Sequence, residues 1–164
     1  MVKYYLSLGS NLGNRKSNLQ EAIFFLESIG KIVDISSIYE TSPVGMKPGT
    51  GTFLNLALAL ETNIQPHDML LRIKRFEKEM GRENRGGSDR SRTIDIDILL
   101  SGHLIVSEKD LIIPHPRMTE RAFVLVPLNE IAPEVIHPVL KKKMINILKE
   151  LHSSENVDKY RKKS

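Results

Sequence analysis

"FLNLALALET", residues 53–62, alternates cleanly enough to be read as a β-strand with two unlike faces. Leu54, Leu56, Leu58 and Leu60 fall on one side; Phe53, Asn55, Ala57 and Ala59 fall on the other, the period of two that a strand imposes. The leucine side must meet a core. The other side is less uniform: two small alanines beside an aromatic ring and an amide leave room for a flat ligand, or for a helix packed closely on the alanines.

A second strand, within "RSRTIDIDILL" at 90–100, carries an internal conflict. Ile94, Ile96 and Ile98 take one face, which places Asp95 and Asp97 together on the other, roughly 6–7 Å apart. Two like charges near a core repel and lose hydration, so they need cations close by. Arg90 and Arg92 are candidates. A divalent metal is another, because Mg²⁺ prefers oxygen ligands and usually takes one or two carboxylates with substrate phosphates. An edge strand with a solvated acidic face is the plainer alternative.

Around these strands the chain supplies the material for one domain: 164 residues can bury roughly 68–70% of the unfolded surface around a single core. It has no cysteine, which excludes disulfides, thiolate zinc sites and a cysteine nucleophile. There is no signal-peptide pattern and no run of 18 apolar residues, so a cytoplasmic protein without a membrane span is expected. The net charge of +4 is not evenly spread. Residues 139–164 hold eight Lys/Arg against three Asp/Glu, while residues 1–138 hold 16 against 17. The body is near neutral, and the tail from about residue 152, ending "DKYRKKS", is expected to be solvated and disordered.

Strand-like and helix-like segments interleave. "KYYLSL" at 3–8 reads as a first strand, closed by "GSNLGN", whose simplest role is a tight turn capping a helix. Leu19, Ala22, Ile23, Leu26 and Ile29 then recur at helical spacing until Gly30. "IVDISSIYE" at 32–40 predicts one strand, and "TSPVGMKPGTGT" at 41–52 a turn-rich loop long enough to be mobile or functional. Pro66 opens a second helix with Met69, Ile73, Phe76 and Met80 as its buried stripe. "GRENRGGSDRSR" at 81–92 is a glycine-loosened loop with four arginines. Helices are expected near 118–125 and over about 141–151. The pattern predicts an α+β domain with an antiparallel or mixed sheet and helices on one face.

Paired carboxylates, an arginine-rich loop, His115 between two prolines, and a small-residue surface with an aromatic and an amide point together to a polyphosphate site. Phosphoryl-type transfer needs mainly positioning and charge neutralisation. "GSNLGNR" is neither GxxxxGK[ST] nor GxGxxG, so the common nucleotide-binding loops are absent.

"LGSNLGNR", "FLN" at 53–55, Glu77 with "GR" at 81–82, "RTIDIDIL" at 92–99 and "PHPRMTERAFVLVPL" at 114–128, in this order and spacing, resemble the 6-hydroxymethyl-7,8-dihydropterin pyrophosphokinase family of folate biosynthesis. The resemblance covers roughly residues 3–150. It implies a ferredoxin-like fold and transfer of the terminal pyrophosphate of ATP to the hydroxymethyl oxygen of the pterin, releasing AMP. It also implies two Mg²⁺ ions on Asp95 and Asp97. Phe53 and Phe123 would sandwich the pterin, Asn55 would read its edge, and Thr41 and Val44 would touch it. Arg82 and Arg92 would engage the triphosphate as the catalytic arginines. Lys74, Glu77, His115 and Arg121 fall at positions associated with ATP. Arg90 and Ser91 depart from the family, which usually has Gly and then a small residue or Pro there. A monomer acting on ATP and the pterin, without nucleic acid or membrane, is the expectation. The rivals are a nucleic-acid-binding module on the same kind of sheet, which would show an RNP1-like aromatic strand and no acidic pair, and a metal-dependent nuclease.

Overall fold

A computed structural model describes residues 1–42, 52–81 and 93–161. Val44, Arg82 and Arg92, with the rest of the arginine-rich loop, lie outside the described residues. Eight strands and four α-helices follow in order: β1 (Val2–Ser10), α1 (Arg15–Ile29), β2 (Lys31–Ile35), β3 (Tyr39–Ser42), β4 (Phe53–Thr62), α2 (Pro66–Gly81), β5 (Asp95–Leu100), β6 (Val106–Ser107), β7 (Ile112–Ile113), α3 (Ala122–Ile131), α4 (Met144–Glu150) and β8 (Asn156–Lys159).

The main sheet runs β5-β1-β4-β3-β8, with β2 also paired to β4, and every neighbouring pair is antiparallel. Two split units build it. β1–α1–β2 straddles β4, and β4–α2–β5 straddles β1, the interlocked order of a ferredoxin-like α+β sheet. The leucines of β4 meet Tyr4, Leu6 and Leu8 of β1, Leu19, Ala22 and Leu26 of α1, Met69 and Ile73 of α2, and Ile94, Ile96 and Ile98 along β5 in one buried cluster. Phe25 and Phe76 stack at 4.4 Å between centroids, joining the two helices.

Local chemistry sets the ends of α1. The Asn14 side chain accepts from the Ser17 N–H at 3.1 Å, so the turn expected from "GSNLGN" is an N-cap. At the other end the backbone packs directly on β4: a Cβ at Gly30 would lie 2.6 Å from the Glu61 carbonyl oxygen, so only glycine permits the approach.

Several expectations change. The helices do not share one face: α3 and α4 cover the opposite side, where Ala57 meets Val124, Leu125, Leu128, Met144 and Ile147. Of the two uses for the small-residue face, helix packing therefore takes Ala57. The single strand at 32–40 is two strands, because β2 pairs along the far half of β4 and β3 along its start. The helix near 118–125 is a short 3-10 turn at Met118–Glu120 followed by α3, which runs through Pro127 to Ile131. Proline removes one backbone bond there, but Val124, Leu125, Pro127 and Leu128 are all buried, so packing outweighs the local cost. The last helix is shorter than 141–151, at Met144–Glu150. The tail is not wholly disordered: β8 pairs with β3, and the Tyr160 N–H donates to the Ile38 carbonyl. Charged Asp158 and Lys159 suit an outer strand, where they discourage further pairing. Among the described residues no helix is long and apolar enough to cross a membrane.

Candidate active site

The face of the sheet opposite the leucine core carries chemistry at one end. Register aligns Asp95 on β5 with Gly9 on β1, Gly9 with Asn55 on β4, and Asn55 with Tyr39 on β3, a continuous row across four strands. Asp97, Ser7 and Ala57 form the next row, and Ala57 is where α3 packs. The open end is thus the one that holds Phe53, Asn55 and the two aspartates.

At the β3–β4 side of this row, Thr41 and Asn55 are each only 3% exposed, and the Thr41 hydroxyl donates to Asn55 Oδ1 at 2.8 Å. That bond fixes the amide, so Nδ2 is left to donate elsewhere. A Cβ on Gly9 would stand 2.7 Å from Asn55 Nδ2 and 3.8 Å from the Phe53 ring. The amide therefore lies over the bare backbone of Gly9, with the half-buried Phe53 ring beside it. Sequence reading assigned "GSN" to a loop and missed Gly9, since a glycine within "SLGSN" looks like punctuation.

The β5 side is crowded with charge. β5 is indeed an edge strand, as one reading expected, but its acidic face is not freely solvated. Burial, reinforced by Asp95, pushes Asp97 up to about 6 against the pull of Arg121 and Lys74. Burial pushes Glu77 up to about 7; the Ile96 N–H and Lys74 oppose that shift, and Asp95 adds to it. Glu77 Oε2 accepts the edge-strand N–H of Ile96 at 2.8 Å, and Lys74 Nζ lies 3.4 Å from the other carboxylate oxygen. Glu77 thus ties α2 to the strand that presents both aspartates.

His115, after β7, is fixed at both ends: its N–H donates to the Leu99 carbonyl at 2.9 Å, and its Nδ1 accepts from Arg117 N at 3.1 Å. Burial, with Arg121 nearby, lowers its pKa, so a neutral ring is favoured. The Arg121 guanidinium stands 5.6 Å from the centroid of Phe123 at the start of α3. An open groove of about 230 Å³ runs between α2, β5 and the β6–β7 hairpin. Lys74, Asp97 and His115 line it together with Leu70, Lys109 and Asp110. Lys109 and Asp110 had no signal in the sequence, because two-residue strands such as β6 and β7 leave no periodicity to read.

The structure therefore gathers Asp95, Asp97, Lys74, Glu77, His115 and Arg121 on one side, and Thr41, Phe53 and Asn55 on the other, with Gly9 between. Among the described residues no cluster of three or more His, Cys, Asp or Glu forms a metal cage.

Residues 5–133 match the family model described as 7,8-dihydro-6-hydroxymethylpterin-pyrophosphokinase. A 2-amino-4-hydroxy-6-hydroxymethyldihydropteridine pyrophosphokinase of Aquifex aeolicus is 44% identical over 142 residues, 87% of this chain and 88% of that protein. The enzyme of the same name from Bacillus subtilis is 42% identical over 135 residues, 80% of this chain and 78% of its own. A crystal structure of Plasmodium falciparum HPPK-DHPS with pteroate superposes with a TM-score of 0.74 at 20% identity, over 91% of this chain; this chain spans 42% of that longer one. With two thirds of the matched Aquifex and Bacillus chains exceeded and the motif-bearing residues inside the matched span, the chain belongs to the 7,8-dihydro-6-hydroxymethylpterin-pyrophosphokinase family.

Proposed function

We infer that this protein transfers the terminal pyrophosphoryl group of ATP to the hydroxymethyl oxygen of 6-hydroxymethyl-7,8-dihydropterin, a step of folate synthesis. The observation that carries the reading is the single row Asp95–Gly9–Asn55, in which an acidic, cation-seeking strand adjoins a fixed amide beside an aromatic ring. Each half suits one substrate. A flat heterocycle with donors and acceptors on its edge fits the Asn55 amide and the Phe53 surface, with Phe123 as the second ring and Thr41 holding the amide. A triphosphate fits the groove lined by Lys74, Asp97 and His115, with Arg121 near Asp97.

In the reaction the hydroxymethyl oxygen attacks the β-phosphorus, the α,β-bridging oxygen leaves with the electron pair on AMP, and the hydroxyl proton is released. Asp95 and Asp97 suit Mg²⁺: they are hard oxygen donors, and burial, reinforced by Asp95, raises Asp97, which a bound cation would hold in its charged form. They would hold two ions, which when bound neutralise triphosphate charge and polarise its oxygens. This chain's own part is to set both aspartates through the Glu77–Ile96 bond, to steer phosphates with Lys74 and Arg121, and to donate from a ring fixed at His115. Arg82 and Arg92 complete the proposal as the arginines meeting the transferred group, Glu77 stands at the nucleotide side, and Val44 at the pterin side. Cytoplasmic location and a monomer belong to the same proposal.

Two acidic residues on the open face disfavour a nucleic-acid-binding sheet, and the Aquifex and Bacillus relatives are named for pyrophosphokinase activity. The test is product analysis with ATP, Mg²⁺ and the pterin. Pterin-dependent AMP and a pyrophosphorylated pterin are expected, whereas ADP, or nucleotide turnover indifferent to pterin, would overturn the reading.

A further inference from the structure

The motif "LGSNLGNR" ends in an arginine that neither substrate half uses. Arg15 opens α1, on the side of the sheet opposite the open face, and is only partly exposed. A single nitrogen, Nη1, lies 3.0 Å from Glu40 Oε2, 2.9 Å from the Thr52 carbonyl oxygen and 2.6 Å from the Thr52 hydroxyl. The Thr52 hydroxyl in turn donates to the same Glu40 oxygen at 2.9 Å. The three residues close a ring of hydrogen bonds that joins α1 to both strands.

Its place in the sheet gives the ring its meaning. The β3–β4 ladder pairs Tyr39 with Asn55, Glu40 with Leu54 and Thr41 with Phe53. Glu40 precedes Thr41, and Thr52 precedes Phe53. Because neighbours along a strand point to opposite faces, the ring grips from behind the backbone whose front carries Thr41, Phe53 and Asn55. The Thr41–Phe53 pair is the last registered one on this side, where a ladder frays most readily. The Thr41–Asn55 bond that orients the amide depends on that last pair staying closed.

We propose that Arg15 is a positioning residue for pterin recognition, holding the Thr41–Phe53 end of the ladder in register so that the Asn55 amide and the Phe53 ring are set before the pterin arrives. Arg15 touches no substrate in this account. The inference rests on the pyrophosphokinase reading and adds to it the element that presets one of its two halves. Preorganisation of a recognition surface changes binding of the group it recognises. If the contact is equally strong in the ground and transition states, KM moves and kcat does not.

The experiment measures steady-state kinetics of the full-length wild type, Arg15→Gln and Arg15→Lys, varying pterin and ATP separately. Arg15→Gln is expected to raise the pterin KM about tenfold, with ATP KM and kcat within about twofold of wild type. Arg15→Lys, which keeps a cation near Glu40, should recover part of the loss. Equal rises in both KM values, a fall in kcat alone, or an unchanged pterin KM would overturn the proposal. Should Arg15→Gln not fold, Thr52→Val, which removes only the bridging hydroxyl, must show the same pterin-selective pattern at smaller size, and its absence would also overturn it. A wild type that makes no pterin-dependent AMP would instead refute the pyrophosphokinase reading itself, so the two failures are distinct.

Discussion

The two ends of the Asp95–Gly9–Asn55 row are built on opposite principles. At the β4 end the hydroxyls are paired within the protein: Thr41 donates to Asn55, both are buried, and the Tyr39 hydroxyl in the same row donates to the Glu130 carboxylate at 2.6 Å. At the β5 end the balance is incomplete: burial, and then Asp95, push Asp97 and Glu77 upward, with Lys74 beside both and Arg121 beside Asp97 only partly offsetting the shift. One end is finished in the protein alone, as a surface that must recognise a fixed shape should be. The other is left short of positive charge, which suits groups that arrive with a metal-bound phosphate. Two carboxylates raised beside Asp95, one of them in the groove, are a pointer to such a site.

The sharpest way to break this comparison is Asp97→Ala. If the acidic end is incomplete without cations, removing Asp97 should lower kcat by about three orders of magnitude, since metal-based stabilisation is worth several kcal/mol and ~1.4 kcal/mol is tenfold. The melting temperature of the metal-free protein should stay level or rise, because a half-buried, poorly compensated carboxylate is gone. A rate within tenfold of wild type would remove Asp97 from the metal site.

How much of this contrast could be read from the sequence follows from what leaves a periodic trace. The leucine face of β4 and the isoleucine–aspartate alternation of β5 were legible because a period of two survives wherever one face is buried. The stripe Met69, Ile73, Phe76 and Met80 was legible for the matching helical reason: the first two are buried, and the others pack against the same core. β8 was not, since Asn156–Lys159 is a short, polar outer strand whose place is set by β3 rather than by its own pattern. Nor was the covering of Ala57 by α3, because an alanine admits a ligand and a helix equally well. Lys109 and Asp110 reach the groove only through a hairpin of two-residue strands. Of the residues assigned to the site, Asp95, Asp97, Lys74, Glu77, His115, Arg121, Thr41, Phe53 and Asn55 converge; the chain-distant ones were named through family resemblance, not periodicity.

Asn55→Ala tests the finished end. It removes the amide and leaves the Thr41 hydroxyl buried without its acceptor, so pterin affinity should fall about 10- to 100-fold by calorimetry, while metal binding at the other end is unchanged. Losing a hydrogen bond and stranding a partner costs about 1–3 kcal/mol in stability, which chemical denaturation will read. Full pterin affinity in this variant would show that the amide is not the reader.

A smaller effect, of a few kcal/mol at most, should separate the ends by pH. Asp97 and Glu77 are raised to about 6 and about 7. Both lie above the unfolded carboxylate range of about 3.9–4.3, so the native protein holds more protons than the unfolded chain between about pH 4 and 7. Their contribution to stability is present below about pH 4 and is lost as pH rises through 6 to 7. In EDTA the wild type should therefore lose stability relative to Asp97→Asn across that window, with the difference between the two measured by urea unfolding at each pH. Parallel pH curves would mean that Asp97 is well solvated and the acidic end is not short of charge.

Gly9→Ala carries the smallest expected change and addresses the joint between the ends. The added Cβ would fall 2.7 Å from Asn55 Nδ2 but 3.8 Å from any other atom it approaches, so the only group that must yield is the tip of a side chain. That tip is held by the buried Thr41–Asn55 bond, so turning it strains a hydrogen bond worth about 1 kcal/mol. Replacing glycine within a strand also restricts the unfolded chain, worth about 0.4–1 kcal/mol in favour of folding. The two nearly offset, so stability should be level or slightly lower while the amide is turned from its setting, raising the pterin KM severalfold and leaving the ATP KM alone. An alanine variant that is stable and keeps wild-type pterin KM would show that the amide tolerates rotation, and the contrast between a preset end and an unfinished one would then rest on Thr41 and Phe53 rather than on Asn55.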